Sequence, residues 1–151
     1  YEMFEQQTPH RLIKHELLPD SAGAGQWRGG LGVETVFEIG SDDTQLVTFG
    51  DGDFEGAFGI AGGKGAGLNF IRLDYPDGRT VVPRNKDLIT GVPKGTVYHQ
   101  VANGGGGWGD PKQRDRRLLR DEVDNGVVSR ESALRDYGMT EAELEPAPAA
   151  R

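Results

Sequence analysis

Short apolar segments alternate with turn residues through the first hundred residues, and this spacing limits what the chain can fold into. Turn-forming residues recur about every eight to twelve residues, as in sandwiches and barrels. Glycine and proline supply 24 and 8 of the 151 residues, which argues against a bundle of long helices. The pattern predicts a mainly β fold, either a sandwich or a distorted barrel. The predicted strands are Arg11–Leu18, Val33–Ile39, Thr44–Phe49, Leu68–Leu73, Thr80–Val82, Lys86–Ile89 and Gly95–Val101.

Helix signals begin only after residue 110. Asp115 can cap a helix over Arg116–Asp124, and Gly126 can end it in the left-handed conformation. Ser129 can cap a second helix that stops before Gly138. We therefore predict two short C-terminal helices.

The domain organisation follows from this change of pattern. Residues 1–109 are predicted to form a glycine-rich β domain, residues 110–138 a helical segment of the same domain, and residues 139–151 a flexible acidic tail rich in proline and alanine. Large apolar residues are few, so we expect a small core that leans on a neighbour.

Composition excludes several functional classes. The chain has no cysteine, hence no thiolate nucleophile, disulfide or cysteine zinc site. Its formal net charge of -7 argues against nucleic-acid binding. No apolar run reaches the length that spans a bilayer, and no secretory leader begins the sequence. We expect a cytoplasmic protein without a membrane partner.

The three histidines, His10, His15 and His99, are the candidates for metal binding or general-base chemistry. None lies at a spacing that pairs it with a second ligand, and a metal site needs three or four converging donors. We therefore expect structural histidines and no bound metal.

Two glycine runs superficially resemble nucleotide loops. Gly104, Gly106 and Gly109 satisfy G-x-G-x-x-G, with Asp124 near the position of a ribose-binding carboxylate, but no second parallel strand follows. The run 62–67 contains a lysine, but no serine or threonine follows it. Neither run predicts a nucleotide site.

The candidate functional site is the loop after the last predicted strand. Without Cβ atoms, its glycines permit close approach of another backbone, or leave main-chain N–H groups open to an anion. Packing is favoured, and both interpretations stay open. Basic residues beyond the loop could add to an anion site or form a solvated helix face; they are Lys112, Arg114, Arg116, Arg117 and Arg120. The loop residues are Gly104, Gly105, Gly106, Gly107, Trp108 and Asp110.

Five motifs in register carry a family resemblance that covers nearly the whole chain. Together they resemble the C-terminal part of the hydantoinase B/oxoprolinase family. The chain departs from the family pattern at Ala22 and at Ala102–Asn103, where no reactive group is lost. The motifs are Asp20–Gly25 with Trp27–Gly32, Gly59–Gly63, Gly104–Pro111 with Arg114–Asp115, Asp121 with Gly126 and Val128–Ser129, and Tyr137–Gly138.

The resemblance implies an ATP-dependent enzyme with an A-type subunit, which binds ATP, and a B-type subunit. Members open cyclic amides such as hydantoins and 5-oxoproline through a phosphorylated intermediate, and relatives carboxylate acetone or acetophenone without biotin. A B-type chain is several times longer than this one, so no catalytic residue is carried over. ATP and a divalent metal are expected in the larger subunits, and no cofactor on this chain.

We therefore expect a C-terminal portion or small subunit of such an enzyme, inactive alone, in a hetero-oligomer with the A-type subunit and the remainder of the B-type subunit. A carboxylase and a non-catalytic assembly module are the alternatives. The chain could be an excised domain, a processed fragment or the product of a split gene. The resemblance places the loop where the other parts pack, and Gly105→Val or Gly106→Val should impair assembly or turnover.

Overall fold

The computed structural model describes residues 1–84 and 86–145. A 3-10 turn at Pro111–Gln113 precedes the C-terminal helices. The elements in chain order are α1 (Glu2–Gln7), β1 (Arg11–Leu18), β2 (Gly32–Glu38), β3 (Thr44–Phe49), β4 (Phe70–Asp74), β5 (Thr80–Val81), β6 (Lys86–Val92), β7 (Val97–Ala102), α2 (Arg116–Asp124), α3 (Arg130–Arg135) and α4 (Glu141–Leu144).

The strands form two antiparallel sheets, which confirms the mainly β prediction. One sheet has the order β1-β2-β7-β4-β5, and β3 pairs with β6 in the other. The central strand β7 pairs antiparallel with β2 and with β4, so that His99 lies opposite Val36 on one side and Arg72 on the other. Neither sheet closes into a barrel within the part of the chain that is described.

The chain divides into two compact units that interleave along the sequence. The first contains residues 1–17, 32–56 and 68–103, and the second contains residues 18–31, 57–67 and the described residues from 104 onward. The sequence predicted one domain divided in chain order after residue 109. The compact units differ from that order, because the glycine-rich segments at 18–31 and 57–67 group with the residues after 103 rather than with the strands that flank them.

The first unit holds an aliphatic and aromatic core between its two sheets. Leu73 and Ile39 are fully buried, and β3 and β6 contribute Leu46 and Ile89 to the same cluster. Leu73 on β4 has polar neighbours on both sides, as expected for a strand with one buried face. On β3 and β6 the outward positions are partly apolar as well, since Val47 is 74% and Leu88 is 59% exposed.

The second unit has a separate core built on the C-terminal helices. Asp115 accepts hydrogen bonds from the N–H groups of Arg117 and Leu118, and Ser129 caps α3 through the N–H of Ser132. Both predicted helices and their caps are confirmed. The core of this unit contains Ala24, Leu119, Val128, Ala133, Tyr137, Met139 and Leu144.

Two helices were missing from the prediction. The first, α1, buries none of its residues. The second, α4, begins with a capping box between Thr140 and Glu143 and buries Leu144. The predicted flexible tail was therefore wrong for residues 139–145, because Met139 and Leu144 join the helical core. Residues 146–151 of that tail lie outside the described residues.

The helices of this structure are short. No helix in the described ranges 1–84 and 86–145 is long and apolar enough to cross a membrane.

Two adjacent leucines in α2 provide a test of the helical core. Leu119 is fully buried, whereas Leu118 is 51% exposed. Leu119→Ala should lower the free energy of unfolding by about 2–5 kcal/mol, the usual cost of a buried leucine truncation. Leu118→Ala should change it by less than about 0.5 kcal/mol. Urea unfolding followed by circular dichroism measures both, and equal effects would contradict the assigned core.

Candidate functional site

The candidate loop lies between two other glycine-rich segments of the same unit. The N–H of Trp108 donates to the carbonyl of Trp27 at 2.9 Å, and the N–H of Trp27 donates back at 3.0 Å. On the other side, Ile60 donates to the carbonyl of Gly107 and accepts from the N–H of Gly109, each at 2.9 Å. Residues 104–109 are therefore the middle segment of a three-segment backbone assembly, which we call the glycine layer; its outer segments are residues 21–30 and 57–66.

The N–H groups of the loop donate to carbonyl oxygens of those outer segments. Gly104 donates to Ser21, Gly105 to Gly30 and Gly107 to Lys64, at 3.2, 3.0 and 2.9 Å. An anion site would need several of these donors pointing at a ligand. These three donors are therefore engaged by backbone carbonyls of the chain itself, which the close approach of the glycine segments allows.

Close approach explains why side chains are absent from the glycine layer. A Cβ added at Gly106 would overlap the carbonyl oxygen of Phe58, and one at Gly63 would overlap the carbonyl oxygen of Gly107. Gly105 differs, because the nearest atom to its Cβ would be the nitrogen of Gly30, at an ordinary contact distance of 3.6 Å. A Cβ atom would therefore clash with backbone at Gly106 but not at Gly105.

Trp108 and Asp110 complete the loop. Trp108 is 48% exposed, while Gly107 and Gly109 on either side of it are buried. Asp110 accepts a hydrogen bond from the N–H of Lys112 at 2.9 Å and caps the 3-10 turn that begins at Pro111. This bond fixes the start of the turn that leads out of the loop.

Most of the basic side chains after the loop are committed to structural contacts. Arg114 donates to both carboxylate oxygens of Glu122 at 2.8 and 3.0 Å, and to the carbonyl of Gln26 at 3.1 Å. Arg116 donates to the carbonyl of Tyr137, and Arg120 to that of Glu143. These contacts hold the helices in place, while Arg116, Arg117 and Arg120 also line one surface depression together with Asp121.

Glu122 lies at the centre of the ion pairs in this unit. Arg28, from the first glycine segment, donates to Glu122 at 2.9 Å, beside the contact from Arg114. The three side chains are largely buried, and each has a charged partner. This network connects the first glycine segment to α2.

Lys64, the lysine of the second glycine run, is also paired. Its ammonium lies 2.7 Å from a carboxylate oxygen of Asp136, just after α3. Hydrogen bonds from Arg135 and from Lys64 hold the pKa of Asp136 below its usual value, so this partner stays ionised at neutral pH. Lys64 therefore ties the second glycine segment to the helices.

The three histidines make separate contacts in the first unit. His10 accepts from the N–H of Gly40, His15 lies 2.9 Å from the hydroxyl of Thr35, and His99 lies 3.2 Å from Asp74. Among the described residues, no group of three or more histidine, cysteine, aspartate or glutamate side chains is placed to hold a metal ion. The histidines are therefore not gathered into one site.

Sequence reasoning missed that the three glycine runs form one layer. It treated them as separate turns or loops, although all three contain glycines at close intervals flanked by large apolar residues. Such runs resemble surface turns unless their partners are known, because glycine has no side chain whose periodicity reveals a buried face.

Comparison with known proteins identifies the group to which this architecture belongs. The sequence profile of the hydantoinase B/oxoprolinase family matches residues 1–111. The chain belongs to this family. Its membership confirms the resemblance carried by the glycine motifs.

The chain is similar to three proteins whose names indicate different reactions. It is 32% identical to the beta chain of the caprolactamase of Pseudomonas jessenii, over 91% of the chain and 24% of the relative. It is 28% identical to the B-type subunit of a putative D-/L-hydantoinase from a Pseudomonas species, over 92% and 24%. Nucleotide-free acetone carboxylase shares the fold, with a TM-score of 0.72 at 22% identity, over 92% and 22%.

The crystal structure of the ATP-dependent caprolactamase extends the first comparison to the fold. It matches with a TM-score of 0.75 at 31% identity, over 93% of this family member and 25% of that chain. The chain therefore spans about a quarter of the length of the relatives it matches.

Gly105 and Gly106 form a matched pair that tests the glycine layer. Gly106→Ala should lower the free energy of unfolding by about 1–3 kcal/mol, the usual cost of forcing extra atoms into a packed region. Gly105→Ala should lie within about 0.5 kcal/mol of the parent, because its methyl group meets no close neighbour. Urea unfolding compares the two. Equal stability would show that the segments do not pack as described.

Asp110 provides a second, local test. Asp110→Ala should destabilise the loop by about 1 kcal/mol, the scale of a lost cap. Asp110→Asn should largely retain the cap, because its side-chain oxygen can still accept from Lys112. Amide hydrogen exchange at Lys112 reports the difference: exchange should accelerate in the alanine variant only. Unchanged exchange in the alanine variant would refute the cap.

Proposed function

We propose that this chain is a non-catalytic part of an ATP-dependent enzyme that opens cyclic amides, as a C-terminal portion or small subunit of its B-type component. The observation that carries the proposal is the likeness to caprolactamase, which holds in sequence at 32% identity and in structure at a TM-score of 0.75. The similarity to the B-type subunit of a putative hydantoinase points to the same substrate class.

The chemistry gives a reason for ATP use. Resonance makes the carbonyl carbon of an amide a poor electrophile, and the amide oxygen is not a leaving group. Transfer of the terminal phosphoryl group of ATP to that oxygen, with loss of the amide proton, would give an imidate phosphate whose carbon is a better electrophile. Water would add to this carbon, and the C–N bond would break as the nitrogen takes up a proton, which opens the ring and leaves an acyl phosphate. A second water would hydrolyse the acyl phosphate, so the products would be ADP, phosphate and an open-chain amino acid or carbamoyl derivative.

The role of this chain in that reaction is structural. Several of its charged side chains are engaged in ion pairs within the chain, such as the pairing of Lys64 with Asp136 and of Arg28 with Glu122. We place ATP and a divalent metal in the larger subunits, and none on this chain. The partners would be the A-type subunit and the remainder of the B-type subunit, in a cytoplasmic hetero-oligomer.

A ketone carboxylase is the second candidate. The observation in its favour is the fold shared with acetone carboxylase at a TM-score of 0.72. The 22% identity of that match supports the fold alone, whereas caprolactamase is similar in sequence as well. A module that only joins the larger subunits is the third, because the glycine layer gives this chain a stiff backbone framework without a catalytic group of its own.

One assay separates the first two candidates. The complex is purified from its source through a tag on this chain, and ADP release is measured with hydantoin, 5-oxoproline, caprolactam, or acetone plus bicarbonate. We expect ADP release with at least one cyclic amide when bicarbonate is absent. ADP and the ring-opened product should form in equal amounts. Turnover only with a ketone and bicarbonate would establish the carboxylase instead.

Two controls complete the test. The 151-residue chain alone should release no ADP with any substrate, and persistent turnover by the purified chain would overturn its non-catalytic role. The Gly105→Ala and Gly106→Ala variants then serve as a matched pair in the complex. If Gly106→Ala lowers the yield of complex but leaves turnover per assembled complex unchanged, the chain is an assembly module.

A further inference from the structure

The glycine layer carries large apolar side chains on one side. Trp27 and Trp108 are paired antiparallel, and Ile60 of the second glycine segment is bridged to Trp108. Residues paired in this way project their side chains to the same side of the backbone layer. Leu118 lines a surface depression with Trp27. We call Trp27, Ile60, Trp108 and Leu118 the tryptophan face.

The large apolar side chains of the tryptophan face are about half exposed to solvent or more. Its four side chains are 63%, 53%, 48% and 51% exposed, respectively. Scattered apolar residues are common on protein surfaces, but a contiguous group with two tryptophans marks an interaction site. Tryptophan is also the side chain most enriched among residues that dominate binding energy. The backbone beneath these residues is fixed by hydrogen bonds, so the face is held in place before any partner arrives.

We propose that the tryptophan face is the docking surface for the part of the B-type polypeptide that lies outside these 151 residues. The inference rests on the proposed function for the identity of its partner. It deepens that function by assigning the contact to four named side chains, none of which takes part in the ion-pair network around Glu122.

Chain length argues for this occupant. The similarity to the caprolactamase beta chain covers 91% of this chain but only 24% of that relative. About three quarters of a B-type polypeptide therefore lies outside the matched region and is available as a partner. A second copy is a poorer occupant, because each copy carries a formal net charge of -7 and two copies repel each other.

Local chemistry defines what the partner must present. The depression beside Trp27 is lined by Gln26, Gln113, Asp115 and Leu118, so Asp115 is its one charged side chain. Hydrogen bonds from the N–H groups of Leu118 and Arg117 lower the pKa of Asp115, so it stays an anion at neutral pH. The partner surface should therefore be apolar at its centre, with carbonyl or carboxylate acceptors for the indole N–H groups and a donor near Asp115.

The chain supplies its own reporters for a test. Trp27 and Trp108 are its only two tryptophans, so both probes lie in the tryptophan face. The chain is labelled with 5-fluorotryptophan and mixed with the unlabelled remainder of the B-type polypeptide from the same source. Fluorine NMR then follows the two resonances, and their shift between H₂O and D₂O reports solvent contact. We expect both resonances to move on binding and to lose most of this solvent shift.

Substitutions then test which residues carry the affinity. Trp27→Glu and Leu118→Glu should each weaken binding of the remainder at least tenfold, measured by calorimetry. Trp27→Phe should retain affinity within about fivefold, because the aromatic surface is kept. Arg117→Gln is the matched control for Leu118→Glu. Arg117 is the neighbour of Leu118 on α2, is exposed and lies outside the tryptophan face, so this substitution should change the affinity less than twofold. Circular dichroism confirms that each variant is folded.

Each outcome decides the proposal. If the glutamate variants bind like the parent and both tryptophans stay solvated in the complex, the face is not the docking surface. If the isolated chain has twice its monomer mass in solution and Trp27→Glu is a monomer, the occupant is a second copy and the assignment is overturned. Binding of the A-type subunit alone through these residues would overturn it too. Failure of the proposed function is distinguishable, because this binding needs neither ATP nor substrate.

Discussion

The second unit depends on main-chain hydrogen bonds between three segments that lie too close together for side chains. Gly23 donates to the carbonyl of Gly105, and Gly107 donates to that of Lys64, each at 2.9 Å. Added Cβ atoms at Gly23 or Gly106 would overlap backbone atoms of a neighbouring segment. This contact is specific because only glycine allows it, and costly because ordering glycine loses more backbone entropy than ordering any other residue. The surrounding structure must therefore offset that loss.

Side chains outside the glycine layer provide this support. Glu122 in α2 receives Arg28 from the first segment, and Asp136 receives Lys64 from the second. Ala24 of the first segment also packs into the helical core with Leu119 and Ala133. The helices thus serve as a frame to which two of the three segments are attached by charge or by packing. The middle segment, residues 104–109, continues directly through Asp110 into this frame. All three segments are therefore held by the helices.

Much of this fold was predictable from local sequence, and the exceptions share a physical cause. The bounds of β1, β3 and α2 match the prediction because apolar periodicity and caps such as Asp115 are encoded within a few residues. The Thr140–Glu143 capping box was equally local, and it could have predicted α4. The pairing of Trp27, Ile60 and Trp108 could not be predicted, because these residues are far apart in sequence and glycine runs carry no side-chain pattern that specifies a partner.

The same constraint explains why the apolar side chains of the glycine layer face outward. Glycines fill the contact between segments, so the large residues among them, Trp27, Ile60 and Trp108, have no room inside the layer and must project from it. The helical core buries one side of the unit through Leu119 and Tyr137. The close approach that orders the three segments is therefore also what leaves Trp27, Ile60 and Trp108 exposed on the other side.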